Sequence, residues 1–479
     1  MIKKNDIIKL NIEKSTVDGK GIGRYEGMAI FVPASAAGDE IDCRILKDKK
    51  TYAYGKVEKI NTPSPDRTEP ECPVFLKCGG CAFCHINYEA EAKIKADYVA
   101  DCLHRIGGVY PEIEPIIACE KPFRYRNKAQ YPIQKDGGEI KAGFFGPHSH
   151  RVINCPDCLL QPEEFESILR AVCGYMQRHS VSTYDEENHK GLFRHIYIRK
   201  GTKTGEIMVC PVVNGKALPD ENDFVKTVLA SCDGIKSIVL NSNTEKTNVI
   251  LGKNCRTLWG QDYITDILCD LKFKISPLSF YQVNRDQAER LYKKAAEYAQ
   301  LKGDETLLDL YCGTGTIGLS MAQKVKKVIG VEIVEQAIAD AKINARENGI
   351  TNAEFYCADA SKAAEKFKTD GIKPDVVILD PPRKGCAGDV IDCVAQMSPE
   401  RVVYISCDPA TLARDCKIFA SLGYEAIKAT PVDLFARTGH VETVVLIVRR
   451  TRNRPLSLMA KEYIKPNFLI VKARKELTI

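Results

Sequence analysis

Short apolar stretches separated by glycines and charged residues occupy the first 60 positions of the chain. They are IIKLNI, GKGIGRY, MAIFVP, GDEIDCRIL and YAYGKVEKI. Strands of this length, bounded by turn-forming residues, are typical of a small antiparallel β-barrel. The polar, proline-rich stretch NTPSPDRTEP over residues 61–70 then predicts a linker. We therefore expect a first domain, an OB-like barrel, over residues 1–60.

From about residue 300 the pattern changes to continuous apolar runs that alternate with helical stretches. The runs are TLLDLYCGTGTIGLS, KVIGVEI, AEFYCADA, DVVILDPPR and RVVYISCDP. Such alternation indicates βαβ units and a mostly parallel sheet, which is an α/β Rossmann-like fold. Between about 90 and 270 helical and strand patterns are mixed, so we expect a central α+β domain of unspecified topology.

Length and hydropathy exclude several classes of protein. A chain of 479 residues predicts two to four domains. No stretch approaches the ~18 apolar residues of a membrane span, and the charged start MIKKNDIIKL lacks the apolar core of a signal peptide. We expect a cytoplasmic monomer with no membrane partner.

The net charge of +6 is concentrated at the C-terminus. Residues 449–479 include nine Lys or Arg and two Glu, so the rest of the chain is close to neutral. A basic extension suits a polyanion such as nucleic acid, and it equally suits a solubilising tail.

Twenty cysteines in a cytoplasmic chain do not predict a disulfide framework, so spacing must identify the functional ones. The stretch ECPVFLKCGGCAFC supplies Cys72, Cys78, Cys81 and Cys84. Its first three form C-x5-C-x2-C and its last three form C-x2-C-x2-C. Thiolates at either spacing bind zinc or an iron–sulfur cluster. A fourth ligand would come from INCPDCLLQ, as Cys155 or Cys158.

A glycine-rich turn, G-x-G-x-x-G at 313–318, follows the first apolar run and indicates a nucleotide-type cofactor. Glu332 ends the next run, where a carboxylate can accept hydrogen bonds from ribose hydroxyls. Asp309 precedes the glycines and would repel a pyrophosphate, whereas Asp359 follows the third run and can meet an adenine amino group. Three acids after successive strands favour S-adenosylmethionine over a dinucleotide.

Two further runs end in reactive groups. Asp380 precedes two stiffening prolines, and Cys407 ends the next run on the same edge, before a helix start that should lower the thiol pKa. A thiolate that adds to carbon 6 of a pyrimidine makes carbon 5 nucleophilic enough to take a methyl group from a sulfonium. The proton on carbon 5 must then leave, and Glu442, at the start of the last apolar run, is the candidate base. Taken alone, Glu442 would be a surface carboxylate.

The stretches SFYQVN, LDLYCGTGTIG, GVE, LDPPRKG, YISCDPATLARD and GHVETVVL, in this order, resemble the RNA uracil-5-methyltransferase family. The resemblance implies that Cys407 is the nucleophile and Glu442 the base. It also implies a set of cofactor positions: Gln282, Tyr311, Glu332 and Asp380, with Asp359 as a further one. The family usually has Asn where this chain has Asp408, and we expect the extra carboxylate to raise the thiol pKa.

The resemblance extends to iron–sulfur members of the family that contain a TRAM domain, an OB-like RNA-binding module. It implies a 4Fe-4S cluster on Cys72, Cys78, Cys81 and Cys158, with Cys84 spare. We expect a structural cluster, because the C-x3-C-x2-C pattern of radical enzymes is missing from this segment. The domains implied are the TRAM barrel (1–60), a central iron–sulfur domain (70–270), a methyltransferase domain (271–450) and a basic extension (451–479).

RNA is the expected partner. OB-like barrels bind single strands by stacking, and the candidate stacking residues are Tyr25, Phe31, Tyr52 and Tyr54. The stretches FRYRNKAQYP and FRHIYIRKG interleave basic and aromatic residues and resemble family segments near the substrate channel. The resemblance implies 23S rRNA as substrate, with the T-loop uridine of tRNA as the alternative. A non-catalytic RNA-binding or iron–sulfur redox protein is the alternative from another class.

Overall fold

The computed structural model describes residues 2–450, whose regular elements we number in chain order. The strands are β1 Ile7–Ser15, β2 Lys20–Tyr25, β3 Met28–Pro33, β4 Glu40–Asp48, β5 Tyr52–Thr62, β6 Glu112–Ile113, β7 Lys128–Asp136, β8 Glu139–Phe145, β9 Val152–Asn154, β10 Phe193–Lys200, β11 Ile207–Val213, β12 Ile235–Ser242, β13 Asn254–Gly260, β14 Ile264–Leu268, β15 Leu271–Ile275, β16 Thr306–Leu310, β17 Lys327–Glu332, β18 Ala353–Cys357, β19 Val376–Leu379, β20 Arg401–Ser406, β21 Tyr424–Val432 and β22 Glu442–Arg449. The α-helices are α1 Tyr88–Cys102, α2 Glu164–Arg178, α3 Glu221–Leu229, α4 Arg285–Ala299, α5 Thr316–Met321, α6 Glu335–Glu347, α7 Ala360–Thr369, α8 Gly388–Met397 and α9 Pro409–Ser421. The basic extension, 451–479, lies outside the described residues.

The first five strands form a closed barrel in the order β1-β2-β3-β5-β4. Alternate residues of each strand face a small aliphatic core that includes Leu10, Ile30 and Ile41. A β-carbon at Gly55 would come within 2.2 Å of the Cys43 Sγ atom, so only glycine allows β4 and β5 to pack this closely. The predicted barrel is confirmed, although one of its strand pairs, β3 with β5, is parallel.

A seven-stranded sheet, in the order β13-β12-β11-β10-β7-β8-β9, forms the centre of the molecule. Helices α2 and α3 pack on it through the buried side chains of Phe165, Ile168 and Phe224. Strands β10 and β11 are buried along nearly their whole length, as expected for the middle of a covered sheet.

The C-terminal sheet has eight strands in the order β18-β17-β16-β19-β20-β22-β21-β6. The strands from β18 to β20 are parallel, and β22 is antiparallel to both of its neighbours. Their continuous apolar runs bury both faces of the sheet, each under a separate hydrophobic core. This arrangement confirms the predicted α/β methyltransferase-type fold.

Parts of the predicted central region belong to this C-terminal layer. Helix α1 and the π-helical turn that continues it, Leu103–Gly107, pack on α9, and β6 pairs in parallel with β21 at the sheet edge. The hairpin β14–β15 buries Ile264, Phe273 and Ile275 in the same core as α4. Residues 70–270 are therefore divided between the central sheet and the methyltransferase layer.

The strand order reverses between β16 and β19, which is where ligands bind in sheets of this type. The carboxyl ends of β16, β17, β19 and β20 meet at this edge, and antiparallel β22 begins there. Among residues 2–450, no helix combines the length and apolar character needed to cross a membrane.

Candidate active site

Cys407 and Glu442 meet at the edge of the C-terminal sheet. Ser406, the last residue of β20, pairs with Thr443, so the adjacent positions toward the edge are Cys407 and Glu442. Glu442 is 5% exposed, and burial, with the nearby charge of Asp380, raises its pKa to about 8. A carboxyl with this pKa can exchange a proton near neutral pH, as a general base must.

The Cys407 thiol is half-buried, and burial raises its pKa to about 11. The charges of Glu442 and Asp380 raise the pKa further, whereas Arg383 lowers it by charge and by a hydrogen bond to the thiol. The expectation that the start of α9 would lower the thiol pKa is therefore wrong for the free protein, because desolvation and two carboxylates outweigh the helix.

Asp408 has a local role in the structure. Its Oδ1 atom accepts hydrogen bonds from the backbone N–H groups of Ala410 (3.0 Å) and Thr411 (2.9 Å), so it caps α9. The carboxylates that act most strongly on the thiol are instead Glu442 and Asp380.

Arg383 is a site residue that sequence reasoning did not single out. It lies in the loop after β19, where Thr411 Oγ1 donates to its carbonyl oxygen (3.2 Å). Its guanidinium contacts the thiol of Cys407 and lies 3.3 Å from Nε2 of His440. The sequence feature that could have identified Arg383 is its position directly after the Asp-Pro-Pro stretch, at the carboxyl end of a parallel strand.

The glycine-rich turn leaves open space at the end of β16. Gly313 has φ of +54°, and a β-carbon there would meet no described atom within 4 Å. Glu332 holds the turn, because its Oε2 accepts from Gly313 N (3.2 Å) and its Oε1 from Val334 N (2.9 Å). The exposed apolar side chains of Ile333 and Val334 follow it and are suited to cover an adenine, a feature that the sequence reading missed.

Asp309 does not face this space. It is fully buried, its Oδ2 accepts from Gly318 N (2.9 Å), and burial raises its pKa to about 8. It is therefore mostly neutral at pH 7, so the predicted repulsion between its charge and a pyrophosphate does not apply. Its role is to hold the first turn of α5 against β16.

The other predicted cofactor residues lie at the same edge. Tyr311 has φ of +68° and packs beside Cys386, and Asp380 has a pKa raised to about 7 by burial. The Gln282 carbonyl accepts from Asn127 Nδ2 at 2.9 Å, which ties this loop to the central domain. Asp359 is exposed and caps α7, accepting from Ser361 N and Lys362 N.

The predicted cluster ligands come together from two loops. The thiols of Cys78, Cys81 and Cys158 each raise the pKa of Cys72 by their charge, so all four are electrostatic neighbours. Within residues 2–450, however, no three His, Cys, Asp or Glu side chains stand close enough to hold a metal ion. The thiols fit a cluster in chemistry and in neighbourhood, and a 4Fe-4S site is not shown.

The two spare cysteines contact two of the predicted ligands. The Cys84 thiol hydrogen-bonds with Cys81, and the Cys155 thiol with Cys158. The bond from Cys155 and backbone N–H groups lower the pKa of Cys158 to about 7. The backbone N–H groups of Leu160 and Gln161 that hydrogen-bond to the sulfur of Cys158 suit a thiolate at that position.

The two basic–aromatic stretches lie in different environments. Arg124 and Arg126 line a cavity of about 410 Å³ between the central domain and the start of α4. In the second stretch, Arg194 is buried and donates to the carbonyls of Asn243, Glu245 and Thr247. The arginine of this second stretch therefore binds the protein's own loop and does not form an open basic face.

Three of the four barrel aromatics form a group. The rings of Phe31, Tyr52 and Tyr54 lie 5.5–6.0 Å apart, half-exposed on the barrel surface. Tyr25 instead packs against the barrel core. The group has the geometry of a platform on which bases can stack.

Two family models match the chain. The model described as tRNA (Uracil-5-)-methyltransferase matches residues 87–450, and the TRAM domain model matches residues 3–57. An uncharacterized RNA methyltransferase from Clostridium tetani is 45% identical over 446 residues, which cover 93% of this chain and 97% of that protein. A further one from Halalkalibacterium halodurans is 43% identical over 447 residues, or 93% of this chain and 98% of that protein.

A solved structure is similar over most of the molecule. It is the tRNA (uracil-54, C5)-methyltransferase of Pyrococcus abyssi in complex with S-adenosyl-L-homocysteine, at a TM-score of 0.75 and 29% identity. The alignment covers 92% of this chain and all of that one. With one family model over the central and C-terminal sheets and a second over the barrel, the chain belongs to the tRNA (uracil-5-)-methyltransferase family and has an N-terminal TRAM domain.

Proposed function

We propose that the protein transfers a methyl group from S-adenosylmethionine to carbon 5 of a uridine in RNA. The observation that supports this most is the meeting of Cys407, Glu442 and Arg383 at one sheet edge, beside the open glycine turn. A nucleophile, a base and a cofactor space at one edge are the parts that the reaction needs.

Cys407 adds through its sulfur to carbon 6 of the uracil, and Arg383 stabilises the thiolate that attacks. The new bond places negative charge on carbon 5 and the carbonyl oxygen. Bound S-adenosylmethionine would supply an electrophilic methyl group, which carbon 5 takes as the methyl–sulfur bond breaks and its electron pair stays on the sulfur of S-adenosylhomocysteine, the leaving group. Glu442 then removes the carbon 5 proton, the carbon 5–carbon 6 double bond re-forms, and the thiolate of Cys407 leaves.

The cofactor would lie over the turn at 313–315, with Glu332 near its ribose and Asp380 near its sulfonium. Asp380 has a raised pKa in the free protein, and a bound cation beside it would return the carboxylate to its charged form. Gln282, Tyr311 and Asp359 complete the proposed cofactor set.

For the substrate, 23S rRNA is our first choice, because the chain resembles the cluster-bearing members of the family that act on it. A tRNA uridine is the second candidate, because the structurally similar Pyrococcus abyssi protein is a tRNA (uracil-54, C5)-methyltransferase. In either RNA the uridine must be flipped out to meet Cys407, and Phe31, Tyr52 and Tyr54 are placed to stack flanking bases.

We further propose that Cys72, Cys78, Cys81 and Cys158 hold a 4Fe-4S cluster. The support is the neighbourhood of these four thiols and the backbone N–H groups that point to the sulfur of Cys158. Such a cluster would connect two loops of the central domain, which is a structural role.

The test is methyl transfer from labelled S-adenosylmethionine to unmodified 23S rRNA and, separately, to unmodified tRNA, with 5-methyluridine identified by nucleoside analysis. Label in 23S rRNA alone supports the first choice of substrate. Label in tRNA alone keeps the chemistry and replaces the substrate. Label in neither RNA, with protein that is folded and holds its iron, would overturn the proposed function.

A further inference from the structure

The connection between β21 and β22, residues 433–441, leads directly into Glu442, and we call it the base loop. Val432 and Glu442 pair across its two ends. Within it, Thr438 N and Oγ1 both donate to the Phe435 carbonyl and close a tight turn. The position of Glu442 therefore depends on how the base loop is held.

Arg437, in the middle of the base loop, has a strained backbone. Its φ is +66°, in the left-handed region that residues with a β-carbon rarely adopt. Such a conformation is strained and persists only where the surroundings enforce it. Arg437 is also 9% exposed, which is unusual for an arginine.

The cysteine-bearing segment supplies the first set of contacts to Arg437. The backbone N–H groups of Ala82 (2.8 Å) and Phe83 (3.3 Å) donate to its carbonyl oxygen. Its guanidinium donates to the Ile86 carbonyl (3.1 Å) and lies 4.8 Å from the ring centre of Phe123. The segment between Cys81 and Cys84 is thus bonded to the base loop through its main chain.

Helix α1 supplies the second set. Glu91 accepts from Arg437 N (2.6 Å) and from Lys95 Nζ (2.7 Å), and all three residues are buried. Lys95 also donates to Asp433 (2.8 Å) and to the Phe435 carbonyl (3.2 Å). One buried ion pair therefore holds both the start and the middle of the base loop.

The TRAM barrel closes the remaining side. A β-carbon at Gly439 would lie 2.7 Å from the Val17 carbonyl oxygen, so the barrel turn rests against the loop just before His440. On the inner side, Tyr125 donates to the Ala436 carbonyl at 2.9 Å. The base loop is therefore held in its conformation by contacts from four sides: the barrel, the cysteine segment, α1 and the central domain.

We propose that Arg437 is a positioning residue for Glu442: its buried guanidinium, which donates to the Ile86 carbonyl (3.1 Å) and lies 3.5 Å from the Glu91 carboxylate, holds the base loop and so sets where the base stands relative to the carbon 5 proton. The inference rests on the proposed function. It assigns Arg437 to one step, the removal of that proton, and not to the earlier addition of Cys407. A displacement of the base by about 1 Å can slow such a step about 100-fold.

The experiment separates the two steps in full-length protein. Adduct formation is measured with 5-fluorouridine RNA, in which proton loss is blocked, and proton loss is measured as tritium released from RNA tritiated at uridine carbon 5. The variants are Arg437→Gly, which accepts the left-handed backbone but lacks the guanidinium, and Arg437→Lys, which keeps a charge. Arg194→Ala is the matched control, because Arg194 is likewise a buried arginine that holds a loop, in its case one of the central domain.

We expect both Arg437 variants to form the fluorouridine adduct within about twofold of the unchanged protein and to release tritium about 10- to 100-fold more slowly. They should also accumulate a covalent complex with ordinary RNA, since the methylated adduct waits for the base. The ratio of adduct to product is set within each active molecule, so partial loss of folded protein does not alter it.

Equal slowing of both steps, or a shift in the ratio that Arg194→Ala reproduces, would overturn the positioning role. Glu442→Gln tests the underlying proposal separately, because it should accumulate the same complex more strongly. If Glu442→Gln releases tritium at the normal rate, the proposed function fails at its base. If only the Arg437 variants behave normally, the inference alone fails.

Discussion

The sheet edge and the cysteine cluster both depend on thiols, and the protein builds the two in opposite ways. At the edge, one thiol, Cys407, stands among carboxylates at the end of a buried strand, and its pKa is raised. In the cluster region four thiols come from loops, and one of them, Cys158, has a lowered pKa. A regular strand thus places one thiol at a defined edge, whereas irregular loops bring several thiols near one another.

The largest effect should come from removing the single thiol. We expect Cys407→Ala to reduce methyl transfer by about 10⁴-fold or more and to abolish the covalent complex with 5-fluorouridine RNA, since no other group can form the bond to carbon 6. The measurement is label transfer together with denaturing gel electrophoresis. Cys393→Ser, which changes a half-buried thiol on α8, should leave both readouts unchanged. Trapping by Cys407→Ala at the normal level would contradict the mechanism.

In the cluster region the effect should depend on which thiol is removed. We expect Cys158→Ser to lose most of its iron and to lower the unfolding temperature by about 5 °C or more, because a bound cluster stabilises the folded state. Cys155→Ser, three residues earlier, should retain its iron. Iron content and thermal unfolding of the anaerobically purified protein provide the test. The reverse result would make Cys155 the fourth ligand.

A third prediction concerns Asp309, a buried carboxyl at the sheet edge. Asp309 has a folded pKa of about 8, above that of the unfolded chain, so the folded state binds an extra proton between about pH 4 and 8. Its contribution to stability is therefore fully present at low pH and is lost as pH rises through 8. As pH rises from 5 to 8, the free energy of unfolding of Asp309→Asn should increase by on the order of 2 kcal/mol relative to that of the unchanged protein, measured by urea unfolding. A pH-independent difference would show that Asp309 is charged in the fold.

The smallest effect is expected at Asp408, beside the reactive thiol. Asn can accept the same capping hydrogen bonds from Ala410 and Thr411, and Asp408 is not among the main charges on the thiol. We expect Asp408→Asn to change the methylation rate by less than about threefold, compared as a pH–rate profile. Asp408→Ala removes the cap and should lower stability by about 1 kcal/mol. A tenfold faster Asn variant would mean that the Asp408 charge does restrain Cys407.

The same comparison explains how much the sequence could predict. Apolar runs identify buried parallel strands, and the carboxyl ends of such strands share an edge, so Glu332, Asp380 and Cys407 could be placed together without a structure. Arg437 could not, because its role depends on contacts with segments hundreds of residues away and on a loop conformation that no periodic pattern encodes. The residues alone left the choice between Cys155 and Cys158 open for a similar reason, since both lie in one irregular loop.

For some groups the sequence predicted the position correctly and the protonation wrongly. It placed Asp309 at the right strand end but treated it as a charged group facing a ligand, whereas burial makes it neutral and internal. Likewise the start of α9 was expected to lower the pKa of Cys407, but burial and the surrounding carboxylates raise it. Position along a strand follows from pattern, but protonation follows from neighbours that only the fold brings close.

The seating of the barrel turn at Val17 against Gly439 has a consequence for how the protein is made. These residues are separated by nearly the whole described chain, so on a ribosome the barrel emerges long before the loop that it contacts. Helix α1 and β6 are likewise synthesised long before α9 and β21, the elements that they contact. A nascent chain that stops before residue 442 would contain most of the described residues. It would lack Glu442 and the strand that begins with it, so the candidate site would be incomplete. Among the described elements β22 is the last to be synthesised, so the proposed base is the last part of the candidate site to be added.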